Sequence, residues 1–404
     1  MKLVMKCYCR GFQFAFRIAM PLLPYREPER FDSIKALPPL LKRLGVQSVL
    51  LVTDHPLRET GLTRPLEELL EKSGVHCAVY DETRANPTVH NVEAAREKYL
   101  AERCQGLIAF GGGSSMDCAK AAGARIAYPK RSVNQMKGLL RVLRRLPPLI
   151  AIPTTAGTGS EVTVTAVITD TEKQHKYTMN NFTMIPRYAV LDPEMTRTLP
   201  PHLTATTGMD ALTHAVEAYI GGSTTKETRR LSLEAVRLIF ENIETAYQDG
   251  GNLTTRKHML RAAHIAGIAF SKSYVGYVHA VAHSLGGKYN TPHGLANAVL
   301  LPIGLEIYGP CVCKKLWELG RSAGVVEAGT PAAEGARAFI TAIRGLNQRL
   351  NIPEKLPEIR REDVPAMAAH AAREANPLYP VPKLMDRREL EVFYERAADW
   401  GNPS

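Results

Sequence analysis

The chain has 404 residues, with 51 Lys and Arg against 40 Asp and Glu, a formal charge of +11. Its 45% hydrophobic and 23% charged residues exclude a disordered or fibrous chain, and the length predicts two domains at about 100–200 residues each. No run of about 18 consecutive apolar residues occurs, which sets aside a membrane-spanning helix.

The N-terminus carries Lys2, Lys6 and Arg10, then Gly11 to Phe16, in the outline of an export signal. Arg17 ends that run and no small-residue cleavage site follows, so export is not expected. Spacing predicts a helix over 32–44 and a buried strand at Val49–Val52, closed by Thr53-Asp54. Next come a helix near Leu66–Leu70, a strand at His76–Tyr80, a helix over 91–102, and strands at Gly106–Phe110 and Pro148–Ile152. Short all-apolar strands alternating with helices predict a parallel sheet covered on both faces. Beyond Leu199-Pro200-Pro201 helical spacing dominates: 207–219, 229–244, 256–270 and onward to Trp400. The expected division is therefore an α/β domain over 1–199, with 1–31 as an N-terminal extension, and an all-helical domain over 200–404.

Seven cysteines, with C-x-C pairs at 7–9 and 311–313, suit neither a disulfide scaffold nor a zinc ribbon, and fit a reduced cytoplasm. The positive surplus is local. Between Asp117 and Glu161 there is no acid, and Lys120, Arg125, Lys130, Arg131, Lys137, Arg141, Arg144 and Arg145 fall there. Such an excess points to an anionic partner, either nucleic acid or a phosphate-bearing small molecule. The stretch lacks interleaved aromatics beyond Tyr128, which disfavours nucleic acid.

Two loops suit phosphate. Gly111-Gly112-Gly113-Ser114-Ser115-Met116-Asp117 follows a strand and opens a helix, whose N-terminus favours an anion. Ser114 and Asp117 also fit a capping box, a purely local role. Thr154-Thr155 and Ala156-Gly157-Thr158-Gly159-Ser160 follow another strand and offer many donors. Asp54 ends a strand where an acid can take ribose hydroxyls and repel a 2′-phosphate; its local alternative is a turn before His55-Pro56. Further on, Asp210 and His214 stand four apart, as do His279 and His283, and His293 lies on a Pro/Gly loop. Spacing of four puts side chains on one helix face. One carboxylate with imidazoles suits Fe²⁺, Zn²⁺, Mn²⁺ or Co²⁺.

The segments GGGSSMD (111–117), PTTAGTGSEVT (153–163), TGMDALTHAVEAY (207–219) and HAVAHSLGGKYNTPHGLANAVLLP (279–302) resemble the iron-containing, or group III, alcohol dehydrogenases, in order from about Asp32 to the C-terminus. The resemblance implies the dehydroquinate synthase-like architecture: an α/β dinucleotide-binding domain, an all-α metal-binding domain, and a site in the cleft between them. It implies metal ligands at Asp210, His214, His279 and His293, and a histidine beside nicotinamide and substrate at His283. It further implies cofactor contacts from Gly112, Gly113, Ser114, Thr154, Thr158 and Lys176, and NAD rather than NADP through Asp54. Fe²⁺, with Zn²⁺ as the alternative, is the implied metal, and an alcohol or aldehyde the substrate. Dehydroquinate synthase and glycerol dehydrogenase share the architecture, but their metal sets use fewer histidines. The usual Gly-Pro-Gly turn before the first helix is missing here, and Ser115 stands where proline is common. Lys272, Tyr274 and Tyr277 are expected along the approach to His279. A cytoplasmic homodimer or higher oligomer, with no nucleic acid and no membrane as partner, completes the expectation.

Overall fold

A computed structural model describes residues 1, 3–19, 23–171 and 175–400. Its chain divides into two compact units, Pro24–Leu199 and the pair Met1–Leu23 with Pro200–Ser404. The N-terminal segment thus belongs with the helices and not with the α/β domain to which the sequence reading assigned it.

Among the described residues, the first of these units is built on nine strands: β1 (Glu29–Phe31), β2 (Ser48–Val52), β3 (His76–Tyr80), β4 (Gly106–Gly111), β5 (Gly138–Leu139), β6 (Leu149–Pro153), β7 (Thr165–Asp170), β8 (His175–Asn180) and β9 (Tyr188–Val190). Six form a sheet in the order β1-β9-β6-β4-β2-β3, every pair parallel. Because side chains alternate along a strand, β2 sends Val49 and Leu51 to one face and Leu50 and Val52 to the other. β4 does the same with Ile108 and Phe110 against Leu107 and Ala109. Helices Leu37–Leu44 and Arg64–Lys72 cover the first face, and Val89–Ala101 and Gly113–Ala127 the second. Both faces are dry, so these strands read as continuous apolar runs and were legible as such. The second sheet, β5-β8-β7, was not anticipated. Its β7 alternates buried and half-buried residues with threonines and an aspartate, a weaker signal than an apolar run.

The other unit is helical. Pro201–Ile220, Lys226–Gln248 and Leu253–Ser273 pack on one another, followed by Tyr277–Tyr289 and His293–Tyr308. Close approach is enforced by small residues: a Cβ on Gly208 would lie 2.6 Å from Ile243 Cδ1. The stretch His293–Ser322 is long and apolar enough to cross a membrane by length and composition alone, but 67% of its most apolar window is buried among its neighbours. It belongs to the helical core, as the helices His293–Tyr308 and Cys313–Ser322 joined by a short turn. The apparent signal run forms the helix Leu3–Ala19. It is fastened by Gln13, whose Nε2 donates to Tyr379 O (2.7 Å), and by Arg10, which donates to Val381 O and Pro382 O (both 2.8 Å). All seven cysteines are free.

Candidate active site

Three loops leave the carboxyl ends of neighbouring strands β2, β4 and β6, the edge where open parallel sheets bind ligands. Asp54 follows β2 and caps the short helix His55–Glu59, its Oδ1 accepting from Leu57 N (3.0 Å). Burial raises its carboxyl above the ordinary range. After β4, Gly111 adopts φ +146°, a conformation open to glycine, and a Cβ there would strike Ser115 Oγ at 2.5 Å. Helix Gly113–Ala127 begins directly behind, with Gly112 at its N-cap. After β6, Thr154 N donates to Gly111 O (3.1 Å), locking the two loops together. Thr155 faces Gly112, and Thr158 faces Gly113 closely enough that a Cβ on Gly113 would meet its Cγ2 at 3.1 Å. Glycine at both positions therefore leaves backbone N–H groups accessible beside two threonine hydroxyls, at a helix N-terminus. That arrangement suits a pyrophosphate. Lys176 lies on β8, half-buried, with its ammonium pKa lowered by desolvation.

The capping-box reading of Ser114 and Asp117 does not hold. The helix starts before Ser114, whose Oγ instead accepts from Asn86 N (3.3 Å). Asp117 accepts from Ser160 Oγ and Val167 N, both at 3.0 Å, so one oxygen is held by the loop after β6 and the other by β7. The basic stretch also changes character. Lys120 is buried, donating to Ser160 Oγ (3.0 Å), Thr163 Oγ1 (2.9 Å), Thr163 O (3.1 Å) and Thr165 O (2.9 Å). Arg125 is buried and paired with Glu93. Neither charge lies at the surface.

In the helical unit, Asp210 and His214 share a face of Pro201–Ile220, His279 comes from Tyr277–Tyr289, and His293 opens His293–Tyr308. One ligand atom from each of the four lies within 4.8 Å of the others. Asp210 Oδ1 stands 3.4 Å from His293 Nε2 and 3.9 Å from His279 Nε2. Gly294 is required beside His293, since a Cβ would meet Thr206 O at 2.4 Å. His214 stacks between Phe270 (centroids 4.2 Å) and His279 (4.5 Å).

These residues fit a divalent metal. His279 Nδ1 donates to Glu217 Oε2 (2.6 Å), which fixes the tautomer and leaves Nε2 as a lone pair. That Nε2 is buried and has no hydrogen-bond partner among the described residues. Burial, with the neighbouring histidines, holds the imidazole well below its usual pKa. Burial likewise lowers His293 to about 4, against the pull of Asp210. Neutral imidazoles are what a metal requires.

Glu217 was missed by sequence reasoning. It lies seven residues after Asp210 on the same helix face, a signal that was present. It also accepts from Gly276 N (2.7 Å) and Val278 N (2.8 Å), and burial raises its carboxyl to about 7 against those bonds. Asn297, four residues past His293, places its amide nitrogen 2.7 Å from Asp210 Oδ1. Glu374 had no sequence signal. Its Oε1 accepts from His283 Nδ1 and from Tyr379 OH, both at 2.6 Å. Burial alone would lower His283, but the Glu374 carboxylate outweighs it and raises the imidazole. His283 is half-exposed and stacks on His293 at 5.2 Å, outside the cluster of four.

Of the three residues expected on the approach to His279, Tyr277 is shut away in the core, while Lys272 and Tyr274 are half-buried. Tyr277 is fully buried, its hydroxyl bonded to Asn376 Oδ1 (2.8 Å) as a core strut. Lys272 pairs with Glu227 (2.7 Å). Tyr274 holds φ +66° and packs its ring between Phe16 and Tyr379.

The sequence profile described as "Iron-containing alcohol dehydrogenase" matches residues 30–193, and that described as "Fe-containing alcohol dehydrogenase family, C-terminal" matches 204–398. The 1,3-propanediol dehydrogenase of Klebsiella pneumoniae is 36% identical over 358 residues, covering 88% of this chain and 92% of that one. The crystal structure of a 1,3-propanediol oxidoreductase superposes with TM-score 0.89 at 34% identity, over 93% of this chain and 99% of its own. The sulfoacetaldehyde reductase of Bifidobacterium kashiwanohense, solved in complex with NAD⁺, matches with TM-score 0.83 at 26% identity over 94% and 99%. The chain belongs to the iron-containing alcohol dehydrogenase family, whose members use NAD(H) and Fe²⁺, and it is an alcohol/aldehyde oxidoreductase.

Proposed function

We propose that the chain interconverts a small primary alcohol or diol and its aldehyde, with Asp210, His214, His279 and His293 as the metal ligands and His283 as the proton-handling residue. The carrying observation is the convergence of one carboxylate and three imidazoles, all within 4.8 Å, around the bare Nε2 of His279. A divalent metal held there supplies Lewis-acid polarisation of the substrate oxygen, while NAD(H) supplies the hydride exchange.

The chain's own residues do the rest. Glu217 holds His279 in the tautomer that presents Nε2. Glu374 engages His283 at Nδ1, so Nε2 is the atom that takes or returns the hydroxyl proton. Gly112, Gly113, Thr154, Thr155 and Thr158 cradle the pyrophosphate, Ser114 borders it, and Lys176 lies by the ribose. Asp54 selects NAD over NADP by repelling a 2′-phosphate. A similar protein is named for 1,3-propanediol, and another for sulfoacetaldehyde, so short oxygenated chains are the substrates to try first. The working form is a cytoplasmic homodimer or larger oligomer.

The test replaces His279 with Ala. Metal content by mass spectrometry and NADH formation on a panel of ethanol, butanol, 1,2- and 1,3-propanediol should vanish together. Activity that survives loss of metal sinks the assignment. Reloading the parent enzyme with Fe²⁺ or Zn²⁺ decides which ion supports turnover, because donor type alone does not.

A further inference from the structure

We propose that the helix Leu3–Ala19 and, independently, the loop 137–145 each bind an anionic phospholipid surface reversibly. Fourteen large apolar side chains stand exposed among the described residues, and ten of them fall in these two short segments. Seven lie on the helix, with Leu3 at 77%, Val4 at 82% and Phe14 at 64% exposure. The other three are Leu139, Leu140 and Leu143. Large apolar groups concentrated this way mark an interaction surface.

Each segment is built to present them. On the helix only Cys9, Gln13 and the half-buried Phe16 face inward, a narrow stripe four and three residues apart. Gln13 and Arg10 fasten that stripe to the 379–382 backbone, so Phe14 and Ile18 are held outward. In the loop, Val142 and Leu146 are buried anchors. Tyr128 OH accepts from Leu143 N and Arg144 N, both at 2.8 Å, which turns the Leu143 side chain out. The guanidinium of Arg144 lies over the same ring, 4.9 Å from its centroid.

The charge pattern names the occupant. No acid precedes Glu27, and none lies between Asp117 and Glu161. Exposed Lys6 and Arg17 flank the apolar side chains of the helix, and exposed Lys137, Arg141, Arg144 and Arg145 those of the loop. Two copies of either face would repel. A nucleic acid would leave the apolar groups in water. Apolar side chains interleaved with cations and free of acids suit the headgroup layer of an anionic bilayer, where the hydrocarbon enters the interface and each cation meets lipid phosphate. A helix of 17 residues that carries Lys6, Arg10, Gln13 and Arg17 lies on such a surface and does not cross it. The sequence reading had set a membrane aside because nothing spans one, which is a different requirement.

The test is co-sedimentation of the full chain with vesicles of phosphatidylcholine alone, or with one-third phosphatidylglycerol. Binding to the anionic vesicles is expected, with little to the neutral ones, and it should be lost at roughly 0.5 M salt. The pair Phe14→Glu and Ile18→Glu, and separately Leu143→Glu, should weaken binding by about tenfold or more, with alcohol oxidation in vesicle-free buffer unchanged. Failure of the parent chain to bind anionic vesicles overturns the proposal. So does binding that ignores these substitutions, or a change of oligomeric state by the same variants in analytical ultracentrifugation, which would mean that a second copy covers the face. Tighter retention by RNA than by anionic vesicles also overturns it.

Discussion

Glu217 stands behind His279 and holds both the orientation of that imidazole and the turn at Gly276-Tyr277-Val278. A Cβ on Gly276 would lie 2.5 Å from its Oε1, so backbone and carboxylate are fitted to each other. Replacing Glu217 with Gln keeps the shape and removes the charge behind the imidazole. Metal affinity should fall roughly 10–100-fold, read by chelator competition, with helix content by circular dichroism unchanged. Lys120 sets a pH dependence of stability. Burial lowers its ammonium from 10.5 to about 8, against Asp117 and Glu161. Between about pH 8 and 10.5 the unfolded chain keeps a proton that the folded chain has released, so this residue makes stability rise with pH there. Below pH 8 both states are protonated and the cost of burying the charge is felt in full. Relative to Lys120→Met, the parent should therefore gain stability between pH 7.5 and 9.5, seen in urea midpoints. A parallel pH response of the two proteins would contradict this.

The elements carry their own constraint at the loop–helix junctions. His293 is the first residue of its helix, and Gly294 passes 2.4 Å, measured to a built Cβ, from the carbonyl of Thr206. Both partners are backbone, so an added methyl must push two helices apart. Gly294→Ala should cost about 1–3 kcal/mol of stability and lower bound metal, because His293 moves with the helix start. Calorimetry and metal analysis check this, and full metal occupancy in the variant would refute it. The strands show the opposite regime. β2, β4 and β6 are almost wholly buried and apolar, and their positions were readable from hydrophobic runs alone. The strands β7 and β8 were not, since their alternation of half-buried polar residues reads equally as loop.

On the scale of the whole molecule, metal binding and folding are linked. The cluster draws on three helices of the helical unit, so an ion bound there stabilises their mutual packing. At 100 times its dissociation constant a ligand specific for the folded state adds about 2.7 kcal/mol. Chelator-stripped protein should therefore melt lower than protein reloaded with Fe²⁺ or Zn²⁺. The His279→Ala variant should show no such difference in differential scanning calorimetry.

The sequence by itself determined the apolar strand runs, the glycines after β4, and the paired spacing of Asp210 with His214 and of His279 with His283. These follow from local periodicity, which the chain carries with it wherever it folds. Only the tertiary structure decided which other groups meet them. Glu374 reaches His283 from 91 residues away, and Lys120 and Arg125 sink into the interior when they read as surface charges. Leu3–Ala19 joins the helices at the far end of the chain, fastened to backbone carbonyls near residue 380. A carbonyl has no signature in the sequence, and burial is a property of packing between distant segments. Such contacts exist only once the chain has closed on itself.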